Sequence, residues 1–217
     1  MTVAAFAQLP AGDLVLASAS STRAKILHDA GLGHRCYPVV IDEESVRVSA
    51  RAEAVPVGDI AIILAEMKAA VAVQRLALET DPAPAYVLGC DQILSCDEVI
   101  YSKPQNHSMA KAQLMDLSGK IHQLFCAAVL YRNGERIWHH LAIAKITMRR
   151  LDEGFIDSYL DRLGAAAFSS PASYQIENFG AHLLSRIDGC HFSILGLPLL
   201  ELLGILREHG LKPIESC

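Results

Sequence analysis

The sequence predicts a mixed α/β fold, with crossover units early and a hairpin in the middle, and three observations carry that expectation. Strand and helix signals alternate along the first half of the chain, as crossover units require. Asn133-Gly134 stands between two apolar runs, a strong two-residue hairpin signal. No linker, repeat or low-complexity tract interrupts the pattern, so two lobes sharing one sheet fit better than two independent domains.

The elements follow in order. Leu14, Val15, Leu16 and Ala17 form a short apolar run that reads as a buried strand. Hydroxyl residues Ser18, Ser20, Ser21 and Thr22 come next, then a helix over residues 22–30 that Gly31 stops. Residues 34–41, HRCYPVVI, read as a second strand leading into an acidic turn at Asp42-Glu43-Glu44. Residues 60–78 read as a long helix, with Ile63, Leu64, Met67, Val71 and Leu78 near helical spacing. DPAPA at 81–85 is a loop, and residues 86–94 a buried strand that ends on polar residues. A turn at 95–99 precedes a helix over 108–117, stopped by Ser118-Gly119. Two antiparallel strands occupy 122–150, and Asp152 caps a helix running to Leu163. Residues 169–180 read as irregular and 181–187 as a strand. A closing helix over 198–209 has Pro198 at its start and Gly210 at its end.

Composition narrows the class. The chain has 217 residues, 52% of them hydrophobic, enough for a substantial core. Its net charge is −5 and no Lys/Arg block stands out, which argues against a nucleic-acid partner. The six cysteines, Cys36, Cys90, Cys96, Cys126, Cys190 and Cys217, form no C-x-x-C pair. They read as free thiols of a reducing compartment, five as small buried hydrophobes and Cys217 as exposed. MTVAAFAQLPAGD lacks a basic n-region and no apolar run is long enough to span a bilayer, so the expected location is the cytoplasm, with no membrane partner.

Several polar residues stand out. Capping explains one hydroxyl before Arg23; four with an arginine beside them suit an anion, since helix N-terminal amides and a guanidinium both attract phosphate. There is no P-loop pattern. Asp91 follows YVLGC and is either a loop-capping aspartate or a carboxylate at the ligand crevice of an α/β sheet. Lys68 sits mid-helix near the apolar stripe, as a snorkelling lysine or a site cation. Lys103 precedes Pro104, so its backbone is held extended. Glu43 and Glu177 are solvated acids or ligands, and His139 and His140 read as strand residues. Taken together, Arg23, Lys68 and Lys103 suit a triphosphate, and Glu43, Asp91 and Glu177 suit Mg²⁺, a hard ion that takes oxygen ligands. Metal-assisted phosphate-ester chemistry follows.

These residues also carry a family resemblance. LASASSTRAKIL resembles the Maf-family opening L-A-S-x-S-P-R-R-x-x-L-L, AEMKA its A-x-x-K-A, GCDQ its G-A-D-T, SKP its G-K-P, LSGKIH its L-S-G-x-x-H and LGLP its late G-L-P. The likeness spans about residues 14–210 and implies a single Maf-like domain over 1–217, a twisted mixed β-sheet flanked by helices that forms two lobes around a central cleft. It implies a nucleoside triphosphate pyrophosphatase, a hydrolase of nucleotide clean-up that uses Mg²⁺ or Mn²⁺; homodimers are common in the family. By the same resemblance Asp91 activates water and binds metal, Glu43 helps to bind metal or orders the attacking water, and Lys68 is a catalytic cation that helps to hold the phosphates. Ser18, Ser20, Arg23 and Lys103 hold phosphates.

The chain departs from the family pattern at the opening arginine pair, where Thr22 replaces the first arginine, and at Gln92, where threonine is usual. The dTTP/UTP branch carries D-K-A-G-A-Y-G-I-Q-G; here SSPASYQIEN has Ser170 for the lysine and Glu177 for the glutamine. A carboxylate accepts from purine N–H groups and favours a cationic methylated base, whereas an amide pairs both ways with a pyrimidine. Thr22, Gln92 and Glu177 are therefore the expected base-selecting residues, and 7-methyl-GTP or a broad range the expected substrate. The competing reading is a catalytically weak nucleotide-binding regulator of cell division or septum formation. The missing arginine and lysine leave room for it; Asp91, Lys68, Lys103 and Glu43 together argue against it.

Overall fold

The computed structural model describes residues 14–79, 86–176 and 179–210. Strand β1 (Leu14–Leu16) lies between and parallel to β2 (Arg35–Cys36) and β3 (Tyr86–Cys96). β4 (Val99–Tyr101) folds back antiparallel on β3. β5 (Ile121–Arg132) and β6 (Glu135–Met148) are joined by Asn133-Gly134, both at positive φ (50° and 85°), the conformation a tight hairpin turn needs. β7 (Leu184–Asp188) pairs antiparallel with β6 through a bulge at Thr147/Met148. The result is a seven-stranded mixed sheet in the order β2-β1-β3-β5-β6-β7, with β4 on β3.

The chain divides into two compact units, and β3, β5 and β6 run through both. The first comprises Met1–Asp91, Cys126–Ala142 and His191–Cys217. Strand alternation gives its sheet two apolar faces. Leu14, Leu16, Leu88 and Leu130 pack with Ile26 and Leu27 of α1 (Ser21–Asp29) and Leu199, Leu202 and Leu206 of α7 (Leu199–Glu208). Val15, Ala17 and Val87 face Ala69, Ala72 and Leu76 of α3 (Val57–Leu76). The second unit comprises Gln92–Phe125 and Ile143–Cys190. In it α4 (His107–Leu117) packs on α5 (Glu153–Leu163), with Lys111 bonded to Asp157 at 2.9 Å.

Several sequence expectations need correction. Only Arg35 and Cys36 of the expected 34–41 strand pair; Pro38 has no N–H for a ladder and Val40 is 86% exposed. The expected acidic turn is instead the start of a helix, α2 (Glu43–Ala52), capped by the Asp42 side chain, which accepts from the Ser45 amide at 3.0 Å. α3 begins at Val57, just after Pro56, and ends at Leu76, so Leu78 lies outside it and is exposed. The 181–187 strand begins only at Leu184, because Phe179–Leu183 is a 3-10 turn. The irregular segment carries a short 3-10 helix at Pro171–Ser173, another precedes it at Gly164–Phe168, and neither that one nor α6 (His191–Ile194) was expected. Cys90, Cys96 and Cys126 are buried free thiols as expected, but Cys36 is exposed and Cys190 only half-buried. Cys217 and the loop at 81–85 lie outside the described residues. No helix among the described residues is long and apolar enough to cross a membrane.

Candidate active site

The centre of the first unit's polar residues is Asp91. It is not at the end of β3 but inside it, with five strand residues beyond it. Alternation puts Val87, Gly89 and Asp91 on the face that α3 covers. Gly89 decides how close α3 comes: a Cβ there would lie 2.1 Å from the Ala65 carbonyl oxygen and 2.9 Å from Ala69 Cβ. Ala65 and Ala69 flank Lys68 on the same helix, so the close approach delivers the Lys68 ammonium to Asp91. Lys68 Nζ donates to Asp91 Oδ1 at 2.6 Å and lies 2.7 Å from Glu43 Oε1. Lys68 is thus an ion-pair partner, not a snorkelling lysine, and its side chain is only 12% exposed.

Glu43 arrives from the first turn of α2. Its other carboxylate oxygen, Oε2, accepts from Arg47 Nη2 at 3.0 Å, one helical turn on. Asp91 is 4% exposed, and its Oδ2 is buried with no hydrogen-bond partner. Burial raises the Asp91 carboxyl above the ordinary aspartate range, and it outweighs the opposing pull of the Lys68 ammonium and the Arg23 charge. A buried carboxylate with one oxygen pinned and the other unoccupied is equipped to accept a proton or to ligate a cation.

Arg23 lies on the first turn of α1. Its Nε donates to the Gly196 carbonyl at 2.7 Å, and its Nη1 to Ser18 Oγ at 3.1 Å and the Cys90 carbonyl at 3.0 Å. Gly196, of the late Gly-Leu-Pro, has φ +104° and stands so close that a Cβ would lie 3.2 Å from Arg23 Nε. The hydroxyl run divides its work. Ser20 Oγ caps α1 by accepting from the Arg23 amide at 3.3 Å, and Ser18 Oγ accepts from the Ser20 amide at 3.2 Å. Thr22 is half-buried in the first turn of α1.

Gln92 and Lys103 fall in the second unit, Gln92 directly after Asp91 and Lys103 exposed before Pro104. Gln113 of α4 ties two loops of that unit together: Nε2 donates to the Ser102 carbonyl at 2.9 Å and Oε1 accepts from the Ala172 amide at 3.0 Å. His122 is buried in β5 with Nε2 2.9 Å from Tyr174 Oη, and burial lowers its pKa to about 4. Ser118 accepts from the Leu151 amide at 2.7 Å. The Ser118 and His122 motif residues therefore hold the second unit together. His139 and His140 are strand residues of β6, as expected. Glu177 lies outside the described residues.

A family model described as Maf-like protein matches residues 13–209 of the chain. The chain belongs to the Maf family. This Maf chain is 43% identical over 196 residues to a protein of Paramagnetospirillum magneticum named nucleoside triphosphate pyrophosphatase, covering 90% of this chain and 98% of that one. A protein of Brucella abortus named 7-methyl-GTP pyrophosphatase is 44% identical over 195 residues, covering 90% and 95%. A Rhodospirillum rubrum protein named nucleoside triphosphate pyrophosphatase is 42% identical over 197 residues, covering 91% and 95%. Arg47 and Gln113 are the residues that sequence reasoning passed over. Arg47 was hidden because its i,i+4 relation to Glu43 means nothing until residues 43–52 are known to be helical.

Proposed function

We propose that this Maf chain hydrolyses nucleoside triphosphates to the monophosphate and pyrophosphate. The observation that carries the reading is Asp91: buried, ion-paired to Lys68 through one oxygen, and unpartnered at the other. Water attacks the α-phosphorus and its proton passes to Asp91 Oδ2. Burial strengthens the carboxylate as a base, and Lys68 keeps it oriented through Oδ1. The P–O bond to the β-phosphate breaks, and the electron pair leaves with pyrophosphate. Ser18, Ser20, Arg23 and Lys103 are the groups we assign to the phosphates. Ser20 contributes as the cap that shapes the start of α1, and Arg23 acts from a seat fixed by Gly196.

A divalent cation suits this donor set. Among the described residues no group of three or more His, Cys, Asp or Glu is gathered for a metal. Mg²⁺ and Mn²⁺ need no such cage, since they complete their shells with water and substrate phosphates. Asp91, whose Oδ2 has no hydrogen-bond partner, and Glu43, the second carboxylate within reach of the same lysine, are the residues that would hold the ion. When bound, the ion would neutralise phosphate charge. We assign base selection to Thr22, Gln92 and Glu177, and the substrate to 7-methyl-GTP or a broad range, in keeping with the two kinds of name its relatives bear. The free thiols suit a cytoplasmic enzyme.

The reading is tested by pyrophosphate release from 7-methyl-GTP, GTP, ITP, UTP, CTP and dTTP with Mg²⁺. Release from at least one is expected, ranked by base. Nucleotide binding without release from any would replace the enzyme with the regulatory binder. A ratio of 7-methyl-GTP to UTP hydrolysis unchanged in Glu177→Gln would remove Glu177 from base selection.

A further inference from the structure

Arg47 belongs to none of the motifs, yet it sits one carboxylate away from the lysine that holds Asp91. Its side chain is 15% exposed. Among the described residues its guanidinium has a single partner, Glu43 Oε2 at 3.0 Å through Nη2, and its Nε is buried with no hydrogen-bond partner. A guanidinium carries five N–H donors in a planar fork, and a buried donor without an acceptor is costly. Arg23 is the opposite case: three contacts to protein acceptors fix it in place. The motif arginine is therefore largely committed to the fold, while the arginine outside the motifs keeps most of its hydrogen-bonding capacity. The chain Arg47–Glu43–Lys68–Asp91 is continuous, at 3.0, 2.7 and 2.6 Å. An i,i+4 pair of this kind is weak. A phosphate offers more charge and more acceptor oxygens than Glu43 does, arranged to match the fork.

We propose that Arg47 is a phosphate-binding residue of this site, its fork engaging the substrate's polyphosphate or the pyrophosphate product, with Glu43 as the anion that holds the guanidinium ready. The inference rests on the pyrophosphatase reading, which supplies the phosphate. A purely positioning role makes a different prediction: Arg47 would matter only by neutralising Glu43.

A double-mutant cycle separates the two. Binding of inorganic pyrophosphate to the full chain with Mg²⁺ is measured by calorimetry for wild type, Arg47→Gln, Glu43→Gln and the double variant. Arg47→Gln is expected to weaken binding roughly tenfold or more, the size of a lost charge-assisted hydrogen bond, and to do so in the Glu43→Gln background as well. Arg47→Lys, which keeps the charge and loses the fork, should fall between and serves if Arg47→Gln does not fold. An effect that vanishes in the Glu43→Gln background overturns the proposal in favour of positioning. Unchanged binding in Arg47→Gln and Arg47→Lys overturns it outright while leaving the pyrophosphatase reading intact. A wild-type chain that binds no pyrophosphate, and releases none from any triphosphate, removes both.

Discussion

In the first unit the polar cluster around the buried Asp91 is built of ions. Asp91, Lys68, Glu43 and Arg47 alternate in charge and hold one another at 2.6 to 3.0 Å. In the second unit the polar network around the buried His122 is neutral. His122 bonds Tyr174 Oη, Tyr159 Oη donates to the Ser173 carbonyl at 3.0 Å, and Ser118 bonds the Leu151 backbone. Burial acts on both sets, with opposite consequences. It lowers the His122 pKa to about 4 and raises the Tyr174 hydroxyl, so both stay uncharged and need no counter-ion. It raises Asp91 too, but Lys68 keeps an ion pair available there. A neutral network fixes loops; a charged one keeps a carboxylate ready for protons and phosphate. The contrast is the ground on which we propose chemistry for the first cluster and architecture for the second.

The largest expected break is at Gly89. Gly89→Ala forces a methyl onto the Ala65 carbonyl, so α3 must move away from β3. We expect a loss of about 3 kcal/mol or more of stability together with loss of the Lys68–Asp91 pair, read by chemical denaturation and turnover. A variant as stable and active as wild type would show that the close helix–strand approach does not set the charged cluster.

The neutral cluster is tested by pH. The folded chain keeps His122 neutral down to about pH 4, whereas the unfolded chain protonates it near 6.5. Between those values the unfolded state binds the extra proton, so His122 leaves stability intact above about pH 6.5 and lowers it as pH falls towards 4. The contribution is on the order of 3 kcal/mol at the acid end. His122→Gln should flatten the stability–pH curve in this window relative to wild type; parallel curves would mean the histidine is not held neutral.

The smallest effect is at Ala172 and has the opposite sign. Ala172 has φ 55°, a left-handed conformation that a Cβ disfavours, and Ser173 follows at 56°. Ala172→Gly should stabilise by about 1 kcal/mol without altering turnover, seen as a raised melting temperature. A lowered one would mean that the Ala172 methyl packs better than its backbone is strained.

Legibility followed locality. The β1–α1 junction, the Asn133-Gly134 hairpin and the helix carrying Lys68 were visible because their signals lie within a few residues. α2 was not, since EESVRVSARA buries little beyond Ala50 and looks like a polar loop unless Asp42 is taken as its cap. The apolar look of CYPVVI concealed that Pro38 ends the pairing. Asp91, Lys68 and Glu43 could be named one by one. Their union could not, because it depends on a contact between Gly89 and Ala65, distant in sequence. Arg23 was legible as a site cation, but not its anchoring by Gly196, which lies 173 residues away.

The central claim is that the charged cluster performs the reaction, and Asp91→Asn tests it most directly. Asparagine keeps the shape and removes the base, and the buried charge it removes is one that burial already disfavours. Pyrophosphate release by wild type and Asp91→Asn, measured beside their melting temperatures, should show turnover reduced by roughly 10²- to 10⁴-fold with no loss of stability. A folded Asp91→Asn variant that turns over at the wild-type rate would contradict the account.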